Sequence, residues 1–288
     1  SNTSSAPAAS PTRLNSDRTM ATVKSGKVVI FGAGGPVGAV TTTALKDHYT
    51  LRCTDAMSID RIVAEERRQS DTAPLPELLE APHERAVVDV TDYQQVRDAC
   101  EGMDAAINLT VLRSVLDKAF AVNTVGAYNV AKAAADAGLK RLIHTGPFHS
   151  RMSHPADYWQ DHQIPDDVPL HPGDDLYALS KYLGGHITRI FAEERGLEVM
   201  TFLFCGFRPR QVQPGQRGSG GSAFTVSWED SGESFLYGLR AGDMPTPYEA
   251  FLIAAATPDR KYRVDKAQRL LGWQAADTFE ELYLRPTD

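Results

Sequence analysis

Cysteine is scarce in this chain. Cys53, Cys100 and Cys205 lie far apart and without the spacing of metal ligands. That excludes a disulfide framework and a cysteine-based zinc site, and it predicts buried thiols in a reducing cytoplasm. No apolar run approaches the roughly 20 residues that a membrane-spanning helix needs, so no membrane partner is expected. Long runs of Lys and Arg are also missing. Acidic residues outnumber basic ones 37 to 30, for a net charge of −7. The electrostatic footprint of a nucleic-acid-binding protein is therefore absent. Residues 1–25 are rich in Ser, Thr, Ala and Pro and have no apolar signal-peptide core, so they read as a polar tail.

What is present is ample core-forming material. The 288 residues are 42% hydrophobic and 23% charged, enough for one large domain or a domain with a small lobe. From "KVVIFGAGG" at residue 27 onward, short β-branched runs alternate with helical patterns. "YTLRCTD", "RAVVDV", "DAAINLT", "KRLIHTG" and "LEVMTFLFCG" supply five further strands. One long helix is predicted over 114–138 and another over 175–196. This alternation predicts an α/β fold, a Rossmann-like doubly wound parallel sheet over 26–206. After Gly206 the pattern breaks, and 207–288 reads as a small C-terminal substrate lobe intermingled with the core. There "AFLIAAA" suits a strand, and Thr278 and Glu281 stand at capping-box spacing.

Gly32, Gly35 and Gly38 follow the first strand directly and open a helix. In such a place the first glycine permits a tight turn, the second admits a pyrophosphate to the backbone, and the third lets helix and sheet approach. Asp55 ends the second strand, where a carboxylate can accept from the adenosine ribose hydroxyls and repel a 2′-phosphate. The expected cofactor is NAD rather than NADP. Asp89 and Val90 end the third strand, either as adenine contacts or as a helix-capping acid and its neighbour.

The spacing Tyr-x-x-x-Lys occurs three times, at Tyr128/Lys132, Tyr177/Lys181 and Tyr262/Lys266. It puts both side chains on one helix face. Ligands of a doubly wound sheet sit at the carboxyl ends of its strands. Tyr177 begins a helix just after the loop leaving the fifth strand, so it is placed for chemistry. The other two pairs are expected to pack or to be solvated. A phenol needs a neighbouring cation to ionise near neutral pH, which Lys181 provides; Tyr177 then accepts the proton of a substrate hydroxyl.

These glycines, Asp55, "NTVGAYNVAKAAADAGLKRLIHT", "YALSK" and the late "LLGW" resemble the extended short-chain dehydrogenase/reductase family, the NAD-dependent epimerase/dehydratase group. "PLHPGDDLYALSKYLGG" and "FTVSWEDSGESFLYGLRA" resemble its uronate dehydrogenases most. The resemblance implies hydride transfer between NAD and a sugar or sugar acid, with Lys181 also bonding the nicotinamide ribose. Epimerisation or dehydration of a nucleotide sugar is the alternative, though only about eighty residues follow the sixth strand, against a larger lobe in such enzymes. It implies a role for Asn123 in tying the fourth and fifth strand ends together near the cofactor. It further implies a homodimer through helices at about 115–137 and 175–195.

One departure stands out. The family places a helper Ser or Thr at the end of the fifth strand, and here that position is Pro147, followed by Phe148 and His149. Proline has neither a hydroxyl nor an N–H. Three readings stay open: Thr145 or Ser150 supplies the hydroxyl through a shifted loop, His149 polarises the substrate, or the protein is a catalytically silent NAD-binding regulator. Arg208, with Arg210 and Arg217, is a candidate grip for a substrate carboxylate or phosphate. The loop over 147–174 carries four His and several Asp, including His154, Asp157 and Asp161, in spacings that match no metal motif, and no metal is expected.

Overall fold

The first strand, β1 (Lys27–Phe31), has side chains that alternate between two buried layers. Val28 and Ile30 join one hydrophobic cluster, Val29 and Phe31 the other. A strand buried on both faces belongs at the centre of a parallel sheet, and each such side chain contributes about 1.5–3 kcal/mol by leaving water. A computed structural model describes residues 22–152, 162–213, 215–221 and 224–285.

Helix α1 (Pro36–Leu45) leads to β2 (Thr50–Asp55), α2 (Ile59–Ala64), β3 (Glu84–Val87), α3 (Tyr93–Cys100) and β4 (Ala105–Asn108). Then follow α4 (Leu116–Phe120), a π-helical turn (Ala121–Val125), α5 (Gly126–Asp136), β5 (Arg141–Pro147), α6 (His149–Met152), α7 (Leu176–Arg195) and β6 (Glu198–Phe204). The remainder comprises β7 (Gly206–Arg208), β8 (Thr225–Ser227), α8 (Trp228–Arg240), β9 (Tyr248–Leu252), α9 (Asp265–Leu271) and a 3-10 turn (Glu280–Leu282).

Seven strands form one parallel sheet in the order β3-β2-β1-β4-β5-β6-β9. The order reverses between β1 and β4, which is where this class of sheet opens a crevice for ligands. The seventh strand lies at Tyr248–Leu252, earlier than the apolar run "AFLIAAA" suggests, because Val199 to Leu203 of β6 pair with it there. Helix α8 packs on α1. The chain beyond Gly206 thus completes the sheet and one helical layer, and β7 with β8 forms a separate two-stranded ribbon.

Two local expectations are corrected. The helix expected over 114–138 is interrupted at Ala121–Val125 by the π turn, whose extra residue re-aims Asn123 inward. The capping box at Thr278 and Glu281 does not form: Phe279 takes φ 55° and a single 3-10 turn follows with no side-chain cap.

Arg141 and Glu198 are fully buried neighbours on β5 and β6. Arg141 Nε donates to Glu198 Oε1 at 2.7 Å, and its Nη1 donates to the carbonyls of Gly238, Leu239 and Ala241 at the end of α8. Glu198 Oε2 accepts from Met244 N at 3.0 Å, on the approach to β9. One ion pair therefore joins two strands, the end of a helix and the entry to the last strand.

Candidate active site

The glycine turn between β1 and α1 is built as a close approach. Gly32 has φ +85°, and a Cβ there would stand 3.0 Å from the backbone of Leu109 and Thr110. A Cβ on Gly38 would lie 2.5 Å from Ala33 O, so only glycine lets α1 seat against the turn. A Cβ on Gly35 would meet only Gly32 O, at 3.6 Å, and the backbone there is open to a ligand. Asp55, at the tip of β2, accepts from Gly34 N at 3.0 Å and Met57 N at 3.4 Å. Burial raises the pKa of its carboxyl, and the amides of Met57, Gly34 and Ala56 pull it back. These features fit an adenosine ribose and a pyrophosphate.

Asp89 is exposed, and its Oδ1 accepts from Thr91 N at 2.9 Å and Thr91 Oγ1 at 2.7 Å. It closes a turn there, while Asp92 caps α3. Val90 is buried, and its carbonyl accepts from Asn129 Nδ2 at 2.8 Å. Asn123 bonds Leu112 twice, Nδ2 to O at 2.7 Å and Oδ1 from N at 3.1 Å, and donates to Ser180 Oγ at 2.9 Å. It therefore ties the segment after β4 to α7, not to β5.

At the carboxyl ends of β4, β5 and β6 lies a cleft of about 360 Å³. Tyr177, Lys181, Thr145, Pro147, His149 and Arg113 line it, beside Val37 of α1. Tyr177 sits in the first turn of α7, which Asp175 caps by accepting from Ala178 N at 2.8 Å. Burial raises the pKa of the Tyr177 phenol, and the Arg113 charge opposes that rise. Lys181 is buried and donates from Nζ to Thr110 O at 3.2 Å. Burial, and then the charge of Arg113, push its ammonium down to about 7.

The other two Tyr-x-x-x-Lys pairs stand elsewhere. Tyr128 is exposed with its edge to Phe191, and Lys132 pairs with Asp136. Tyr262 packs on Phe148 and Phe224, and Lys266 is not a solvated lysine, since it pairs with Glu249 at 2.9 Å.

Pro147 ends β5 in register with Phe204, so the strand runs straight through the helper position without a shifted loop. Thr145 lines the cleft, but its hydroxyl donates to Asn108 O at 3.0 Å. Ser150 donates to Pro147 O at 2.7 Å and faces a different cavity, of about 30 Å³. Arg208 is also outside the cleft, its guanidinium over the Phe279 ring and donating to Gln216 Oε1 at 3.3 Å. Arg210 pairs with Asp230 and Asp277 and is structural. Ser150 and Arg208 are thus held by a backbone carbonyl and an aromatic ring, outside the cleft that Tyr177 lines.

Arg113 is the cleft residue that the motifs missed. A charged side chain in "LTVLRS", in the loop at a strand's carboxyl end, was its signal. His144 of β5 was missed as well. It is buried beside Asn108, and burial followed by the Lys181 charge holds its imidazole well below the usual range. His154, Asp157 and Asp161 lie outside the described residues. Among the described residues no cluster of three or more His, Cys, Asp or Glu is placed to hold a metal, and no helix is long and apolar enough to cross a membrane.

Lys181 makes a pH prediction. Its folded pKa of about 7 lies below the unfolded value of about 10.4. Between these values the unfolded chain binds more protons, so this group's contribution makes stability rise with pH from about 7 to about 10. Lys181→Met is expected to melt above the wild type at pH 6, by about 1–4 kcal/mol, with the gap closing towards pH 10. Parallel melting curves across that range would refute the assignment.

Fold and glycine turn together define a class: a Rossmann-like α/β protein of short-chain dehydrogenase/reductase architecture. The NAD dependent epimerase/dehydratase family matches residues 28–212, and the chain belongs to it. It is 25% identical over 273 residues to the NAD-dependent glucose-6-phosphate dehydrogenase of Haloferax volcanii, covering 88% of this chain and 94% of that one. It is 25% identical over 268 residues to the L-arabinose 1-dehydrogenase (NAD(P)(+)) of the same organism, covering 87% and 96%. Uronate dehydrogenase from Agrobacterium tumefaciens superposes with a TM-score of 0.70 at 21% identity over 92% of each chain. Glucuronic acid dehydrogenase from Chromohalobacter salexigens gives 0.71 at 21%, over 91% of this chain and 90% of that one. These two structures share the fold.

Proposed function

We propose that the protein is an NAD-dependent dehydrogenase acting on a hydroxyl of a sugar or sugar acid. The observation that carries this reading is the cleft that gathers Tyr177, Lys181 and Thr145 at the strand ends, beside the first turn of α1. The glycine turn and Asp55 hold NAD, and the Asp55 carboxylate favours it over NADP. Bound NAD supplies the hydride acceptor. Tyr177 takes the hydroxyl proton, and Lys181 stabilises the phenolate and positions the nicotinamide ribose. Both Haloferax relatives are named as dehydrogenases of sugars or their phosphates, which supports oxidation over epimerisation.

The test is a panel of hexuronates, free aldoses, sugar phosphates and nucleotide sugars with NAD and with NADP, read by absorbance of the reduced cofactor. Net reduction of NAD on one class is the expected result. Interconversion of sugars without reduced cofactor assigns the epimerase instead, and NAD binding with no turnover assigns the silent regulator.

The same reading makes the protein a homodimer through α4, the π turn, α5 and α7. Exposed apolar side chains concentrate there, at Leu116, Val125, Tyr128, Leu183 and Ile190. A monomeric mass at micromolar concentration would overturn that arrangement.

A further inference from the structure

The missing helper hydroxyl leaves a chemical question at Tyr177. Pro147 offers no donor, Thr145 and Ser150 spend theirs on backbone carbonyls, and β5 runs unshifted past the position. Lys181 is buried, and burial followed by the Arg113 charge pushes its ammonium down to about 7. A guanidinium, in contrast, stays charged over the whole working range.

Such a group faces Tyr177 from the loop after β4. The Arg113 guanidinium carbon stands 5.3 Å from the centre of the Tyr177 ring, and both residues line the same cleft. Among the described residues no carboxylate forms an ion pair with Arg113. Its loop is fixed at both sides. Asn123 clamps Leu112 by its N–H and its carbonyl, and Val115 takes φ 71°, a left-handed conformation that a β-branched residue adopts only when its surroundings impose it. The clamp continues through Asn123 to Ser180, next to Lys181. The loop and α7 are thereby held in one register.

We propose that Arg113 is a positioning residue for the acid/base step: from the loop after β4 it stabilises the Tyr177 phenolate, in place of the hydroxyl that Pro147 removes. This rests on the reading of Tyr177 as the acid/base. The other ionisable groups around Tyr177 are Lys181 on α7, Asp175 at its N-cap, Cys205 after β6 and His149 on α6. Asp175 and Cys205 oppose ionisation of the phenol, and the Arg113 charge favours it.

The test reads ionisation directly, without substrate or cofactor. Fluorotyrosine is incorporated throughout the full chain, and the Tyr177 resonance is assigned in 19F NMR by its loss in Tyr177→Phe. Arg113→Gln is expected to raise the titration midpoint of that resonance by about one unit or more, and Arg113→Lys to restore part of the shift. The acidic limb of the kcat/KM profile on the sugar that the panel identifies moves the same way. A midpoint unchanged in Arg113→Gln, or a Tyr177 resonance that titrates in neither protein, overturns the proposal. A shifted midpoint in a protein that oxidises no sugar leaves the role of Arg113 standing and removes the dehydrogenase reading.

Discussion

Tyr177→Phe lowers turnover by about 10²–10⁴-fold, equivalent to about 3–5 kcal/mol of lost transition-state stabilisation. The phenol oxygen is the atom removed, and the ring that lines the cleft stays in place. NAD affinity is expected to change little, since the change leaves the glycine turn and Asp55 intact. The measurement is steady-state oxidation of the sugar chosen by the panel, with NAD binding followed by calorimetry. Turnover that survives the change would move the acid/base role elsewhere in the cleft, with His149 the next residue to replace. The outcome also separates Tyr177 from Tyr128 and Tyr262, whose Phe variants are expected to retain activity.

Arg141→Met is expected to cost about 3–5 kcal/mol of folding stability, read as a fall in the urea midpoint. The lost pair is not itself the main term. Removing the guanidinium strands the Glu198 carboxylate in the core and frees the carbonyls of Gly238, Leu239 and Ala241 from their donor. Most of the penalty is desolvation without compensation. Pairing the change with Glu198→Gln should recover part of it, because the amide keeps an acceptor for Met244 N and sheds the charge. A loss under about 1 kcal/mol in the single variant would show that water reaches the pair.

The alternation of strands and helices made the sheet legible as far as β6, because each buried parallel strand is a short continuous apolar run with a helical period behind it. The glycine turn was legible for the same local reason: Gly32 and Gly38 are demanded by the backbone of their own neighbourhood. Tyr177 was picked out by its place in a helix, one turn before Lys181. The π turn was not legible, since its signal is one extra residue in an otherwise helical run. Where Ser150 and Arg208 point was not legible: Ser150 is fixed by the carbonyl of Pro147 at the end of β5, and Arg208 by a ring 71 positions later in the chain, that of Phe279.

What the sequence determined by itself is the class of fold, the dinucleotide-type glycine turn and the Tyr177/Lys181 spacing. All three are local: they depend on φ angles, on side-chain period and on the order of elements along the chain. What only the tertiary structure decided is the company Tyr177 keeps. Thr145 lines the cleft with its hydroxyl already spent, and Arg113 arrives from the loop after β4 to stand over the phenol ring. Arg113 and Tyr177 are brought together by the pairing of β4 with β5 and by the clamp of Asn123 between the loop and α7. Sixty-four positions separate them in the chain, and no residue pattern records a contact made by packing over that distance.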